Sequence, residues 1–519
     1  MDELTISTEK QTNNSSLIDS CFECINQKLP VVSRTLSESG SSTVDEYTNK
    51  SLISSTESYQ GKSDLVEVII KYVTPLLGIS IANRVAETLI KKPTVLTANH
   101  HGVDYFAQSV QGSLLFGLSS ESGYATQGDS TQDYAIPVFA CGNIPLNNLT
   151  YPRGALIYPE ISENNVSFPV KIPLFPDRLK RTTVSKSPAL NEQMIQRMQN
   201  RIVKIQSASN NNCYKLLQTL LEILEQEYNQ EAVLSLNCYS DQSVILNQRL
   251  WQRMFAKDVS APPLVYLELE KIASLLLEYD LKNTASLASL LLFNPKALTR
   301  LHSELKSIKG SGTFLFWGID KVGCRVSLFY DESLNSLTGV SERGDTFTIS
   351  IEPTEIYQSI QEGRLLPSLF TSFLVIAFAR GVTCAGGYYQ AEYLPQMQQA
   401  VVNALRSDPE CTATADMVET VNTKAYLSGM QAVMSQYQNT LVPSGPVEII
   451  AAGGLTRSDI ERLRCITVKQ AHTASILDTV ADVMPHYMTE AGYFKTRRKL
   501  AEETSVLLQD SNLIIKQLI

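Results

Sequence analysis

The 519-residue sequence predicts an α/β protein: a sheet core with flanking helices, a large helical insertion and a small antiparallel sheet. Three observations predict it. Short β-branched and apolar runs, at 93–98 and 134–141, alternate with segments of helical period. The stretch from 190 to 308 reads almost wholly helical, and after Gly310 the apolar period falls to two. With 43% hydrophobic residues the chain can bury sizeable cores, so a peptide-sized, collagen-like or wholly disordered protein is excluded. The charge sum of 44 Lys+Arg against 53 Asp+Glu, net −9, gives no global reason to expect a nucleic-acid or anionic-membrane partner.

Residues 1–63 hold 21 Ser or Thr and are expected to be a mostly disordered arm, with a short amphipathic piece around 17–29. The folded region is expected to start at Asp64, where Leu65, Val68, Ile69, Val73 and Leu76 recur with helical spacing, and a second helix follows over 79–91. The run 93–98 then reads as a buried strand that empties into the tight loop Asn99-His100-His101-Gly102-Val103-Asp104. Asp104 is placed to cap a helix carrying Phe106, Val110 and Leu114. Residues 119–132 form a loop, 134–141 a second strand, 143–154 a turn-rich link and 155–158 a short apolar run. Three prolines within 167–176 allow only an edge strand or extended segment.

Farther on, 264–279 reads as one central helix, apolar on more than one side. The segments 313–317, 324–330 and 346–351 suggest an antiparallel meander. Helices are expected over 353–405, broken by the Gly-rich turn 381–387, then a strand over 446–452 and helices over 456–510. The expected division is an arm (1–63), an α/β segment with the candidate loop (64–186), a helical region (187–309) and an α+β region with antiparallel strands and C-terminal helices (310–519).

Nine scattered cysteines do not form the dense pattern of a secreted disulfide scaffold and are expected to be mostly reduced thiols. Cys21 and Cys24 form the only C-x-x-C, and a zinc site there lacks half its ligands. Met1 is followed by Asp2 and Glu3, with no basic and apolar leader. The longest apolar run, 365–379, is interrupted by Pro367 and falls short of the roughly 20 residues that cross a bilayer. A cytoplasmic protein with no transmembrane segment is expected.

Two of only five histidines, His100 and His101, stand together in a loop after a strand. Ligands of open α/β sheets sit outside the carboxyl ends of strands, and a helix N-terminus there offers free N–H groups. Asp104, four residues on, is positioned to orient one nitrogen of His100 while the other acts as general base, and His101 is the alternative base. The structural alternative is a loop whose imidazoles cap backbone groups, with Asp104 only an N-cap. A second constellation runs from Arg380 through Cys384, Gly386 and Gly387. Its glycines allow an anion nest and its thiol is a nucleophile if stabilised as thiolate; a tight interhelical turn is the alternative. Asp478, Asp482 and His486 share one helix face without a convergent further donor, so no metal is expected.

The string VLTANHHGVD, followed in order by IYPEISEN and VKIPLFP, resembles the motif series of the glycerolipid-type acyltransferases over about 80 residues. It departs from that series in two places: three residues instead of four separate His100 from Asp104, and Ile161 follows Tyr158-Pro-Glu160 where the family has Gly. The shorter gap is similar to the H-x-x-x-D of the chloramphenicol-acetyltransferase and condensation-domain group, whose D-F-G-W-G element is missing here. The resemblance implies a base at His100, an orienting partner at Asp104, and Asn99 beside them. It also implies Glu160 near an acceptor phosphate or hydroxyl, with Arg153 as an anion contact. A surface ion pair is the alternative for Arg153 and Glu160.

The expectation is an enzyme, a transferase moving an acyl group from a thioester donor (coenzyme A or a carrier protein) to a small hydroxyl, amine or thiol acceptor. The alternatives are a nucleotide-dependent ligase, whose phosphates the Gly-rich turns would hold, and a non-catalytic binding or scaffold protein.

Overall fold

Four short strands, all parallel, make the central sheet in the spatial order Thr383–Ala385, Thr94–Leu96, Ile136–Ala140 and Leu264–Glu268. The computed structural model describes residues 16–52, 63–118, 124, 134–161, 168–208, 213–308, 312–488 and 493–517. The architecture is α/β, with many flanking helices and several small antiparallel sheets. Strands come from three of the four expected segments.

Alternation along each strand divides the interior into two cores. Leu96, Val138, Tyr266 and Ala385 point into one, while Val95, Phe139, Leu267 and Cys384 point into the other. The first core also takes residues of the helices Ala107–Leu118, Tyr214–Ile223 and Val468–Val483. The second takes Ser63–Leu77, Ile79–Lys91 and Leu269–Leu281. A parallel sheet covered on both faces is the form that buries the backbone ladder and both side-chain sets.

The expected disordered arm is corrected for residues 16–52. Helices Leu17–Lys28, Pro30–Ser39 and Val44–Ser51 pack there, with Leu17, Ile18, Cys21 and Ile25 buried. The abundant Ser and Thr partly serve as caps: Ser16 Oγ accepts from the Asp19 N–H and Thr43 Oγ1 from the Glu46 N–H. Average composition hides a narrow apolar stripe that docks on the helices Val468–Val483 and Tyr493–Leu507. Residues 1–15 and 53–62 lie outside the described residues, as does nearly all of the expected loop 119–132.

Three further expectations are corrected. The single helix over 264–279 is a strand, Leu264–Glu268, running straight into a helix, Leu269–Leu281. A strand covered on both faces has no period of two, so its apolar run merges with that of the helix. The Gly-rich turn 381–387 contains the edge strand Thr383–Ala385, too short to show a pattern. The expected strand 446–452 is the helix Pro446–Ala451, started by Pro446 and by Glu448, which accepts from the Gly445 N–H. The antiparallel strands after Gly310 do form: Thr346–Ser350 pairs with Ser336–Val340, and Phe316–Ile319 with Arg325–Ser327. Phe316–Ile319 also pairs with Leu365–Pro367, a strand where a helix was expected, Pro367 breaking the helical run. The hairpin Gly154–Ile157 with Val170–Pro173 also forms. Among the described residues no helix is long and apolar enough to cross a membrane. All nine cysteines are free thiols.

The chain leaves strand Thr94–Leu96 toward Ile136–Ala140 and then Leu264–Glu268 on one side, and returns to place Thr383–Ala385 on the other. The direction of winding therefore reverses between Thr94–Leu96 and Thr383–Ala385. At their carboxyl ends the two connections diverge and leave a crevice.

Candidate functional site

That crevice is a cavity of about 340 Å³, open to solvent. Thr97 and His100 enter it from one strand end, Gly387 and Tyr388 from the other, and Cys141 from the third. The helix Tyr388–Leu405 begins at the cavity with Gly387 as an N-cap that has no side-chain hydrogen bond. The first-turn N–H groups of a helix have no intrahelical acceptor, and here they belong to cavity-lining residues. Gln390 folds back to donate to Thr97 Oγ1 at 2.7 Å and to the Cys384 carbonyl at 3.2 Å, tying the helix start across the switch point. Gly386 permits this, since a Cβ there would stand 2.2 Å from the Gln390 carboxamide carbon.

His100 is half-buried in the wall. Its Nδ1 lies 3.0 Å from Thr150 Oγ1, and that hydroxyl donates to Asn148 Oδ1 at 3.3 Å. The Thr150 proton being committed to Asn148, His100 Nδ1 is the donor and Nε2 carries the lone pair. Burial pulls the imidazole down to about 4, with the Arg325 charge adding to the effect and hydrogen bonding to Asn148 opposing it. The ring is therefore neutral near pH 7, with Nε2 open to accept a proton.

The pairing of His100 with Asp104 is not made. Asp104 turns into the protein, accepting from the Tyr266 hydroxyl at 2.8 Å and the Phe106 N–H at 2.9 Å, and burial raises its carboxyl to about 6. It anchors the loop to strand Leu264–Glu268 and starts the helix Ala107–Leu118. Asn99 is buried beside it, donating to Tyr266 Oη and the Ser109 carbonyl. Gly102 closes the loop with φ +114° against Pro152, a place no side chain fits.

His101 points away from the cavity into a polar cluster. Its Nε2 lies 2.9 Å from Ser240 Oγ, which donates to Glu268. Next to it Glu270 accepts from the Gly142 N–H at 2.7 Å, Asn143 Nδ2 at 2.7 Å and the Cys141 thiol at 3.2 Å. Burial, reinforced by Glu268, raises Glu270 to about 7.

Of the other expected residues, Arg380, Cys384, Arg153 and Glu160 do not line the cavity with His100. Arg380 is 2% exposed and locked by Asp64 at 2.6 Å and Asp280 at 3.0 Å. Cys384 is a core residue whose thiol burial pushes far up, which removes any nucleophile. Arg153 pairs with Asp177 at 3.1 Å and lines a separate groove with Arg197, Arg201 and Lys204. Glu160 follows strand Gly154–Ile157 and is not among the cavity-lining residues. Gly387 does line the cavity. Among the described residues no three His, Cys, Asp or Glu side chains group to hold a metal ion.

The chain matches no protein-family model, no curated protein and no solved structure.

Sequence reasoning missed Asn148 and Thr150, which it read only as part of a turn. It also missed Phe106, Tyr389 and Tyr393 as cavity walls, and Asp482, which it assigned to a helix face without a partner. The signal available was the strand-loop-helix grammar at residues 382–388, where the short run Val382-Thr383-Cys384-Ala385 precedes Gly-Gly and a helix.

Proposed function

We propose that this chain is a transferase working in the switch-point cavity, with His100 as general base and the start of helix Tyr388–Leu405 as the seat of negative charge. The observation that carries this reading is the convergence, in one cavity, of a neutral imidazole with a bare Nε2 and an uncapped helix N-terminus. Acyl transfer is the reaction class it serves best. Nε2 takes the proton of an acceptor hydroxyl or amine as that atom bonds to a thioester carbonyl carbon. The carbonyl oxygen, now negative, is met by first-turn N–H groups. The C–S bond then breaks and the leaving thiolate receives the proton from Nε2. The role the family resemblance gives to Asp104 passes to Thr150 and Asn148, which fix the tautomer without adding charge.

Among the described residues no Lys or Arg lines the cavity, which suits the thioester end of a donor better than the phosphates of coenzyme A. The same lack counts against the nucleotide-dependent ligase, although the Gly386–Gly387 turn before an uncapped helix is the observation in its favour. Thermal-shift and turnover screens of wild type and His100→Ala against acyl thioesters and ATP decide between them. Thioester-induced stabilisation, with acyl transfer lost in His100→Ala, is the expected result. A shift with ATP alone favours the ligase, and no thioester response at all overturns acyl transfer.

A further inference from the structure

We infer that the cavity takes a molecule carrying a cationic nitrogen, an amine or a quaternary ammonium, as the acceptor of the transfer. Calling it the acceptor rests on the reading above; the binding itself rests on the cavity alone. Asp482, on the last turn of helix Val468–Val483, is the only Asp, Glu, Lys or Arg among the described residues of the lining. Its carboxylate is exposed, and no hydrogen bond or ion pair engages it among the described residues. An exposed carboxylate with no partner in a cavity wall leaves its charge available to a cation brought by the ligand.

The remaining walls suit the same charge. Phe106, Tyr389 and Tyr393 line this one cavity beside Tyr388, whose ring is stacked on His472. Ring faces attract ammonium groups, and clusters of them beside a carboxylate recognise alkylated nitrogen. Leu149 and Tyr389, 73% and 50% exposed, add apolar surface that suits the alkyl substituents of such a nitrogen. An anionic ligand group would meet Asp482 with no Lys or Arg among the described lining residues to offset it. A neutral ligand would leave the carboxylate unpaired. His100, neutral near pH 7, neither repels nor pairs with the cation.

Isothermal titration of the full chain with choline, 1,4-diaminobutane and the neutral choline isostere 3,3-dimethyl-1-butanol tests this. At least one cation is expected to bind saturably and at least tenfold more tightly than the isostere. Asp482→Asn, at an exposed position, is expected to weaken that binding tenfold or more, and Tyr389→Ala severalfold. Choline binding without diamine binding assigns a quaternary nitrogen, and the reverse assigns a protonated amine. Absence of cation binding, isostere binding as tight as the cation, or an unchanged Asp482→Asn affinity overturns the inference. The two readings fail separately. Thioester turnover that needs His100 but shows no cation binding leaves the transferase standing without this acceptor. Cation binding without thioester turnover leaves the cation site standing without the transferase.

Discussion

His100 and His101 are neighbours in sequence at the same strand end, yet one lines an open cavity and the other is sealed. On the His100 side the sheet reverses its winding, the flanking connections part, and polar groups are left facing space. On the His101 side, strands Ile136–Ala140 and Leu264–Glu268 run on in one direction, and the gap above them closes with His101 on Ser240, Ser240 bonded to Glu268, and Asn143 bonded to Glu270. Both sites lower the imidazole pKa, and in both burial is the largest cause. Perturbed titration therefore does not by itself tell the two sites apart; access does.

The sharpest break in this comparison is the pair of alanine variants. His100→Ala is expected to lower transfer by about 10²–10⁴-fold with little change in stability, measured by single-turnover thioester consumption and urea unfolding. His101→Ala should do the reverse. It leaves Ser240 short of a partner beside a void, and about 2–4 kcal/mol of unfolding free energy is expected to go. Equal stability losses in the two variants would erase the distinction.

A pH series comes next in size. Glu270 titrates near 7 in the fold against an ordinary 4.5, so its contribution is complete below pH 4.5 and lost as pH rises through 7. Glu270→Gln should therefore gain on wild type as pH goes from 5 to 8, by about 3 kcal/mol at most. His100 has the opposite sign. With a folded value of about 4 against 6.5, its contribution is complete above pH 6.5 and lost as pH falls through 4. His100→Gln should remove that acid-side loss, as read from unfolding midpoints at pH 4 and 7. The smallest effect is Thr150→Val. It frees the His100 tautomer, with an expected stability loss of about 1 kcal/mol and a loss of turnover below that of His100→Ala.

The parts of this fold legible in sequence were those where one local signal sufficed. The strand before Asn99 announced itself by β-branching and the loop after it, and the edge hairpin by its prolines. The central strand Leu264–Glu268 was hidden because it is covered on both faces, and Thr383–Ala385 because three residues carry no period. With those two strands unread, the switch point could not be placed, and Gly386–Gly387 remained a turn. In the candidate site, His100 was legible from its position after a strand. Its partner was not, since Asp104 lies four residues away but points toward Tyr266, while Thr150 reaches His100 from a loop fifty residues on. Sequence spacing constrains neighbours on a helix; in a loop it leaves orientation open.

The cavity walls run from Thr97 to Asp482, through Thr150, Gly387 and Ser428. Such a site has no local precursor during folding, because each wall arrives with a different part of the chain and the edge strand pairs only after nearly three hundred intervening residues have been laid down. Ligand affinity is thus a report on global assembly. A chain nicked or shortened anywhere along that span can retain helices and most of a core, yet lose the binding signal.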